Sequence, residues 1–223
     1  IAKKEFNKNI NTFSIIDHDS RYNEYENIKF LNKDLESKGH LIYLKKYEKN
    51  FFKNLKEINN YHDSPISTIS YYIHYLLTKK IKSENFKVSI SGVGADEIFS
   101  GYYNHFLYFF NSLRNSKLLN ENIKDWKKNI SSNVRNIKFK DPMFFINNPK
   151  SRELIYEDNS VFFKNKITRI FKEKNFTTDL LRNRMLNELF HEIVPVILKH
   201  DDANSMFNSI ENRSPYLDKE LFE

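Results

Sequence analysis

Apolar positions in the first half of the chain recur in two alternating rhythms. Thr12-Phe13-Ser14-Ile15-Ile16 reads as a strand, and Tyr22, Tyr25, Ile28, Leu31 and Leu35 then fall at helical spacing, with Gly39 as the helix stop. Leu41-Ile42-Tyr43-Leu44 is a second strand-like run. Phe51, Phe52, Leu55 and Ile58 mark another helix, and Ile66, Ile69, Ile73, Leu76 and Leu77 a third. Phe86-Lys87-Val88-Ser89-Ile90 follows as a buried strand ending at Ser91. Strands alternating with helices predict an α/β fold, a mostly parallel sheet flanked by helices.

Beyond Tyr103 the rhythm is helical throughout and predicts no further strand. Asp141-Pro142 and Asn147-Asn148-Pro149 read as breaks, and Thr178 opens a long helix through Leu180, Leu181, Met185, Leu189 and Ile193 toward Pro195. The aromatic run Tyr102-Tyr103-His105-Phe106-Tyr108-Phe109-Phe110 is read as a helix packed into a core rather than a base-stacking platform. The expected organisation is one domain over residues 1–223, with an α/β nucleotide-binding part (1–104) and a largely helical part (105–223).

One turn concentrates the candidate chemistry. The chain has four glycines, and three of them, Gly92, Gly94 and Gly101, lie within Ser91-Gly92-Val93-Gly94-Ala95-Asp96-Glu97-Ile98-Phe99-Ser100-Gly101. A glycine turn that opens a helix leaves amides bare and attracts anions, phosphate above all. Asp96 and Glu97 follow at once, and carboxylates beside a phosphate call for a divalent cation such as Mg²⁺ between them. That makes a metal–polyphosphate site one reading. The other is a tight strand-to-helix connection whose carboxylates complement the helix dipole.

Composition narrows the choice. Net charge is +7, but Lys45-Lys46, Lys79-Lys80 and Lys127-Lys128 never merge into a basic stripe, so a solvated surface is read in preference to a nucleic-acid face. There are no cysteines, which rules out disulfides and thiolate metal sites, and no two of the seven histidines have the i, i+4 spacing of a helical zinc site. No apolar run approaches the roughly 20 residues of a membrane span, and the cytoplasm is the expected compartment.

A second segment gives the turn a context: Asp202-Ala203-Asn204-Ser205-Met206-Phe207-Asn208-Ser209-Ile210-Glu211-Asn212-Arg213-Ser214-Pro215-Tyr216-Leu217-Asp218. With the Ser-Gly-x-Gly-Ala-Asp-Glu run it resembles the synthetase domain of glutamine-hydrolysing asparagine synthetases, whose pattern reads Asp-x-x-Ser-Met and then Ser-x-Glu-x-Arg-x-Pro-Phe-Leu-Asp. Asp202, Ser205, Met206, Ser209, Glu211, Arg213, Pro215, Leu217 and Asp218 match, and Tyr216 stands for the phenylalanine. Thr12-Phe13-Ser14-Ile15 is similar to the family's second strand and Asp63-Ser64-Pro65 to its Asp-x-Pro, so the resemblance covers the whole chain.

The resemblance implies an ATP-pyrophosphatase domain of the adenine nucleotide alpha hydrolase-like type. It also implies a reaction in which ATP activates the aspartate side chain as an acyl-adenylate, pyrophosphate departs and ammonia displaces AMP. Ser91, Gly92 and Gly94 would then contact ATP, Ile15 would offer backbone to the adenine, and Asp96 would reach Mg²⁺–pyrophosphate. Glu97, Glu211 and Arg213 are further candidates, the last two read alternatively as a buried ion pair in the pocket wall. Expected partners are aspartate or another carboxylate, ammonia from a glutaminase domain that this cysteine-free chain does not contain, and a second copy in a homodimer.

Departures from the family pattern keep other readings open. The loop Ser-Gly-Gly-x-Asp-Ser has no counterpart, since no glycine precedes Gly39; Ile1-Ala2-Lys3-Lys4-Glu5-Phe6 is therefore read as the remainder of a first helix, and the chain as a fragment. Val93 stands where the best-studied asparagine synthetases carry a glutamate, though some relatives have an apolar residue there, and Ala203 where many members carry a basic residue. An amidotransferase acting on a sugar acid, a non-catalytic relative and a tRNA-directed enzyme of the same architecture are the alternatives.

Overall fold

The structure is a computed structural model and describes residues 2–19, 23–151 and 172–223. Its contacts divide into two units, one of Ile1–Gly92 with Val196–Pro215 and the other of Val93–Pro195 with Tyr216–Glu223.

The first unit holds all four described strands. β1 (Asn11–Ile16) and β2 (Lys38–Tyr43) pair in parallel, Ile15 opposite Ile42, and α1 (Tyr25–Asp34) is the crossover that a parallel pair requires. β3 (Val88–Ile90) and β4 (Glu211–Arg213) form a second parallel pair, Ser89 opposite Asn212. The strands are parallel as expected, but the described residues form two two-stranded sheets, not one. β4 also corrects the reading that no strand follows residue 103. Its three residues carry no apolar alternation, because Glu211 and Arg213 project outward while Asn212 accepts from Ser89 at 2.8 Å.

Two further corrections concern β3 and Gly39. Val88 is 46% and Ile90 75% exposed, so β3 is not the buried strand its composition suggested; β4 lines one edge, and no described strand lines the other. Gly39 sits inside β2 opposite Thr12, not at a helix end, and α1 terminates earlier, where Glu36 takes φ 47°. At the start of the chain, residues 2–6 form turns, not the tail of a helix.

α2 (Phe51–His62) and α3 (Ile69–Ser83) bury Ile58, Tyr72, Tyr75 and Leu76 between them, with Phe51 and Phe207 packed alongside. Their apolar residues recur every three or four positions, the spacing that gives a helix one apolar face. α9 (Val194–Phe207) lies on α3 through polar side chains: Asn204 donates to Tyr71 O at 2.9 Å, and Asn208 donates to Thr78 Oγ1 at 2.9 Å. Ile210, fully buried, follows directly, so this seam delivers β4 to β3.

The second unit is helical: α4 (Ala95–Phe99), α5 (Tyr103–Ser112), α6 (Leu119–Asn129), α7 (Phe144–Asn147), α8 (Leu180–Asn187) and α10 (Lys219–Phe222). The aromatic run is indeed core: Leu107, Tyr108 and Phe110 of α5 pack with Trp126, Val134, Phe139 and Phe145. α8 begins one residue later than expected, because Asp179, not Thr178, caps it by accepting from Arg182 N at 2.7 Å. A π turn at Glu188–Glu192 interrupts the helix after Asn187. Pro195 does not end it but sits in the first turn of α9, where the missing N–H is no loss.

Candidate functional site

The candidate residues fall in both units, and each group has its own geometry. In the first, β3 and β4 run parallel and end together, at the edge where ligands of parallel sheets gather. Ser91 continues the ladder by donating its N–H to Arg213 O at 2.9 Å. Its hydroxyl lies 3.1 Å from that of Ser214 and 3.4 Å from the Asn212 amide, which donates to it. Gly92, next along, is exposed, with open space where a side chain would be. Two hydroxyls and an uncovered stretch of backbone can together hold sugar or phosphate oxygens. Ser214 was not among the sequence candidates; its signal was its place at the variable position just before Pro215.

Glu211 and Arg213 flank this edge. Arg213 Nε donates to Glu211 Oε1 at 2.9 Å, and the side chains are 64% and 59% exposed. The pairing matches the structural reading, but the burial does not: alternation along β4 turns both outward, so this is a solvated pair worth ~0–1 kcal/mol. Ile15 is in the other sheet, half-buried near the carboxyl end of β1.

In the second unit, Gly94 caps α4 at φ 92°, and a Cβ there would lie 2.2 Å from Leu217 Cδ2. Both the backbone angle and the close approach require glycine. Phe99 meets Tyr216 edge-on at 5.9 Å. The glycine turn and the Pro-Tyr-Leu-Asp segment, far apart in sequence, are thus packed together here, as β3 and β4 are in the first unit.

The adjacent carboxylates Asp96 and Glu97 have different fates. Glu97 is 4% exposed and accepts a hydrogen bond from Tyr102 Oη at 2.6 Å. Burial, then that bond and the charges of Glu97, Asp96 and Glu188, push the Tyr102 phenol well above its ordinary pKa, so it remains a donor. Asp96 is exposed and its Oδ1 rests over the Gly101 Cα, 1.9 Å from where a Cβ would stand. Only Asp96 of the two offers a carboxylate outward.

Among the described residues no three His, Cys, Asp or Glu side chains cluster to hold a metal. A lone carboxylate still suits Mg²⁺, which takes one or two carboxylates and completes its shell with phosphate oxygens and water. The donor set therefore fits a cation arriving with a polyphosphate better than one bound by protein alone. A depression of about 540 Å³ elsewhere, between α2 and α3, is lined by Lys53, Lys56, Lys79, Glu57 and asparagines and contains none of these residues.

His62 and His200, beside the family-like segments, come within 5.6 Å of each other in the first unit, and His200 stacks on Tyr71 at 3.9 Å. Asp201, beside the matched Asp202, is the buried one and lies 2.7 Å from His74 Nδ1.

The first unit thus ends a parallel strand pair in two hydroxyls and open backbone, and the second carries a glycine-capped helix with one outward carboxylate. The family model described as asparagine synthase matches residues 1–223, and the chain belongs to that family, whose members are ATP-binding amidotransferases and ligases. No curated protein and no solved structure matches the chain. No helix among the described residues is long and apolar enough to cross a membrane.

Proposed function

We propose that the chain is the synthetase part of an enzyme that makes asparagine from aspartate, ATP and glutamine-derived ammonia, and that its fold is of the adenine nucleotide alpha hydrolase-like type. The observation that carries the reading is the paired end of β3 and β4, where Ser91 and Ser214 hydroxyls stand beside the exposed Gly92.

The β-carboxylate of aspartate is a poor acyl donor. Its oxygen attacks the α-phosphorus of ATP, the bond to the β-phosphate oxygen breaks, and the acyl group is left on AMP. Ammonia then adds to the acyl carbon, gives up a proton, and AMP leaves with the electron pair of the C–O bond. Ser91 and Gly92 hold the nucleotide, with Ile15 offering backbone to the adenine. Asp96 would hold a Mg²⁺ arriving with the phosphates, and that ion would supply charge neutralisation for the departing pyrophosphate. Glu97, engaged by Tyr102, shapes the helix rather than touching substrate. Residues 1–223 act as one domain, and the ammonia comes from a glutaminase domain outside the chain.

Val93, half-buried and apolar where the best-studied asparagine synthetases carry a glutamate, favours a second reading, a related amidotransferase that activates the carboxylate of a sugar acid.

The test is exchange of labelled pyrophosphate into ATP by the intact protein. Asp96→Asn is expected to lower it by about 100-fold or more, because a charge contact to a catalytic cation is worth several kcal/mol. Unchanged exchange in that variant refutes the role of Asp96.

A further inference from the structure

The turn that carries Asp96 is held from beneath by a buried polar chain that the proposed chemistry does not use. α4 ends at Ser100 with φ 62°, a conformation that costs a non-glycine residue on the order of 1–3 kcal/mol and persists only where its surroundings impose it. Gly101 N–H donates to His105 Nδ1 at 3.3 Å. With Nδ1 accepting, the ring proton is on Nε2, which lies 2.7 Å from Glu188 Oε2; both side chains are 1% exposed. Arg184 Nε donates to the other Glu188 oxygen at 2.8 Å, and its Nη1 reaches Glu173 and Glu192 at 3.0 and 2.8 Å.

Glu188 is the first residue of the π turn, and such turns recur at functional sites. A buried ionic chain of this kind adds little stability over apolar side chains of equal volume, so its presence needs a reason other than stability. That reason is Gly101: its Cα is the surface on which the Asp96 carboxylate rests.

We propose that His105, held by Glu188 and Arg184, is a positioning residue for Asp96: by fixing the Gly101 turn it sets the place of the carboxylate that meets the metal–pyrophosphate. The inference rests on the reading of Asp96 given above. His105 touches no substrate and acts through Gly101.

The experiment is calorimetric binding of pyrophosphate to the intact protein as Mg²⁺ is varied, with thermal unfolding measured alongside. His105→Gln can keep an amide donor toward Glu188 where Nε2 stands, but places no acceptor at the Nδ1 position that Gly101 N–H meets. It is expected to raise the Mg²⁺ needed for half-saturation by about 10-fold, the usual scale for groups that orient a metal ligand. Asp96→Asn should raise it at least as far, and His105→Gln added to Asp96→Asn should raise it no further. A normal half-saturation in His105→Gln, or effects that multiply in the double variant, overturns the positioning role while leaving Asp96 as ligand. An unchanged half-saturation in Asp96→Asn overturns the metal reading and this inference with it. If His105→Gln fails to fold, Gly101→Ala carries the test. Its φ lies outside the left-handed region, an added Cβ would displace the Asp96 carboxylate, and the same shift is expected; no shift refutes the proposal.

Discussion

Glycine matters at some positions of the turn and not at others. Gly94 combines φ 92° with Leu217 in the place of a Cβ, so Gly94→Ala is expected to destabilise the protein by ~1–3 kcal/mol through backbone strain, read as a lowered denaturation midpoint. Gly92 has open space and an ordinary φ, and Gly92→Ala should stay within ~0.5 kcal/mol. Histidine chemistry gives a pH prediction at the same scale. Burial holds both His62 and His200 below their ordinary 6.5; for His62 the Asn204 side chain opposes the shift and Lys199 adds to it, and for His200 the charges of His62 and Lys199 add to it while Asp201 opposes it. In the window below 6.5 the unfolded chain binds more protons than the folded one, so stability is full above that pH and falls as acid is added. His200→Phe, which keeps the stack on Tyr71, should flatten the fall of melting temperature between pH 7 and 5. An unaltered slope would show that the pair is not its source.

Elements that follow from apolar periodicity were legible, and those set by polar contacts were not. Phe51, Leu55 and Ile58 announce α2, and Ile73 and Leu76 announce α3, because each stripe has one core to face, whereas Phe52 and Ile69 of the same runs are 82% and 55% exposed. β4 is set instead by a ladder to β3 and by the amide seam of α9 on α3, which no hydrophobic pattern records. The π turn was equally hidden, since it depends on where Glu188 finds His105 and Arg184. For the site, Ser91, Gly92 and Asp96 could be named from the glycine turn, whereas the Ser214 hydroxyl and the fate of Glu97 needed the strand pairing and Tyr102 in place. The seam makes its own prediction. Asn204 is fully buried, and Asn204→Ala leaves Tyr71 O without its donor, at a cost of about 1–3 kcal/mol. Because the seam delivers β4, the amides of Ser91 and Glu211, bonded to Arg213 O and Lys87 O, should exchange faster with deuterium; unchanged protection would separate seam from strand.

Across the whole molecule, the C-terminal segment contributes to both units: Val196–Pro215 completes the first, and Tyr216–Glu223 joins the second. The first part brings Ser214 to Ser91, and the second brings Leu217 to Gly94, so the two sequence motifs that resemble a synthetase are each structurally tied to the other. Asparagine synthase membership places the chain among ATP-dependent ligases, while Val93 leaves the acceptor as the quantity to be measured. The decisive assay supplies the intact protein with Mg·ATP, labelled pyrophosphate and, in turn, aspartate, glutamate and a uronic acid. Label is expected to enter ATP only with aspartate, with AMP and pyrophosphate as products once ammonia is added. Exchange that needs a uronic acid, exchange without any carboxylate, or release of ADP and phosphate would each contradict asparagine synthesis by this protein.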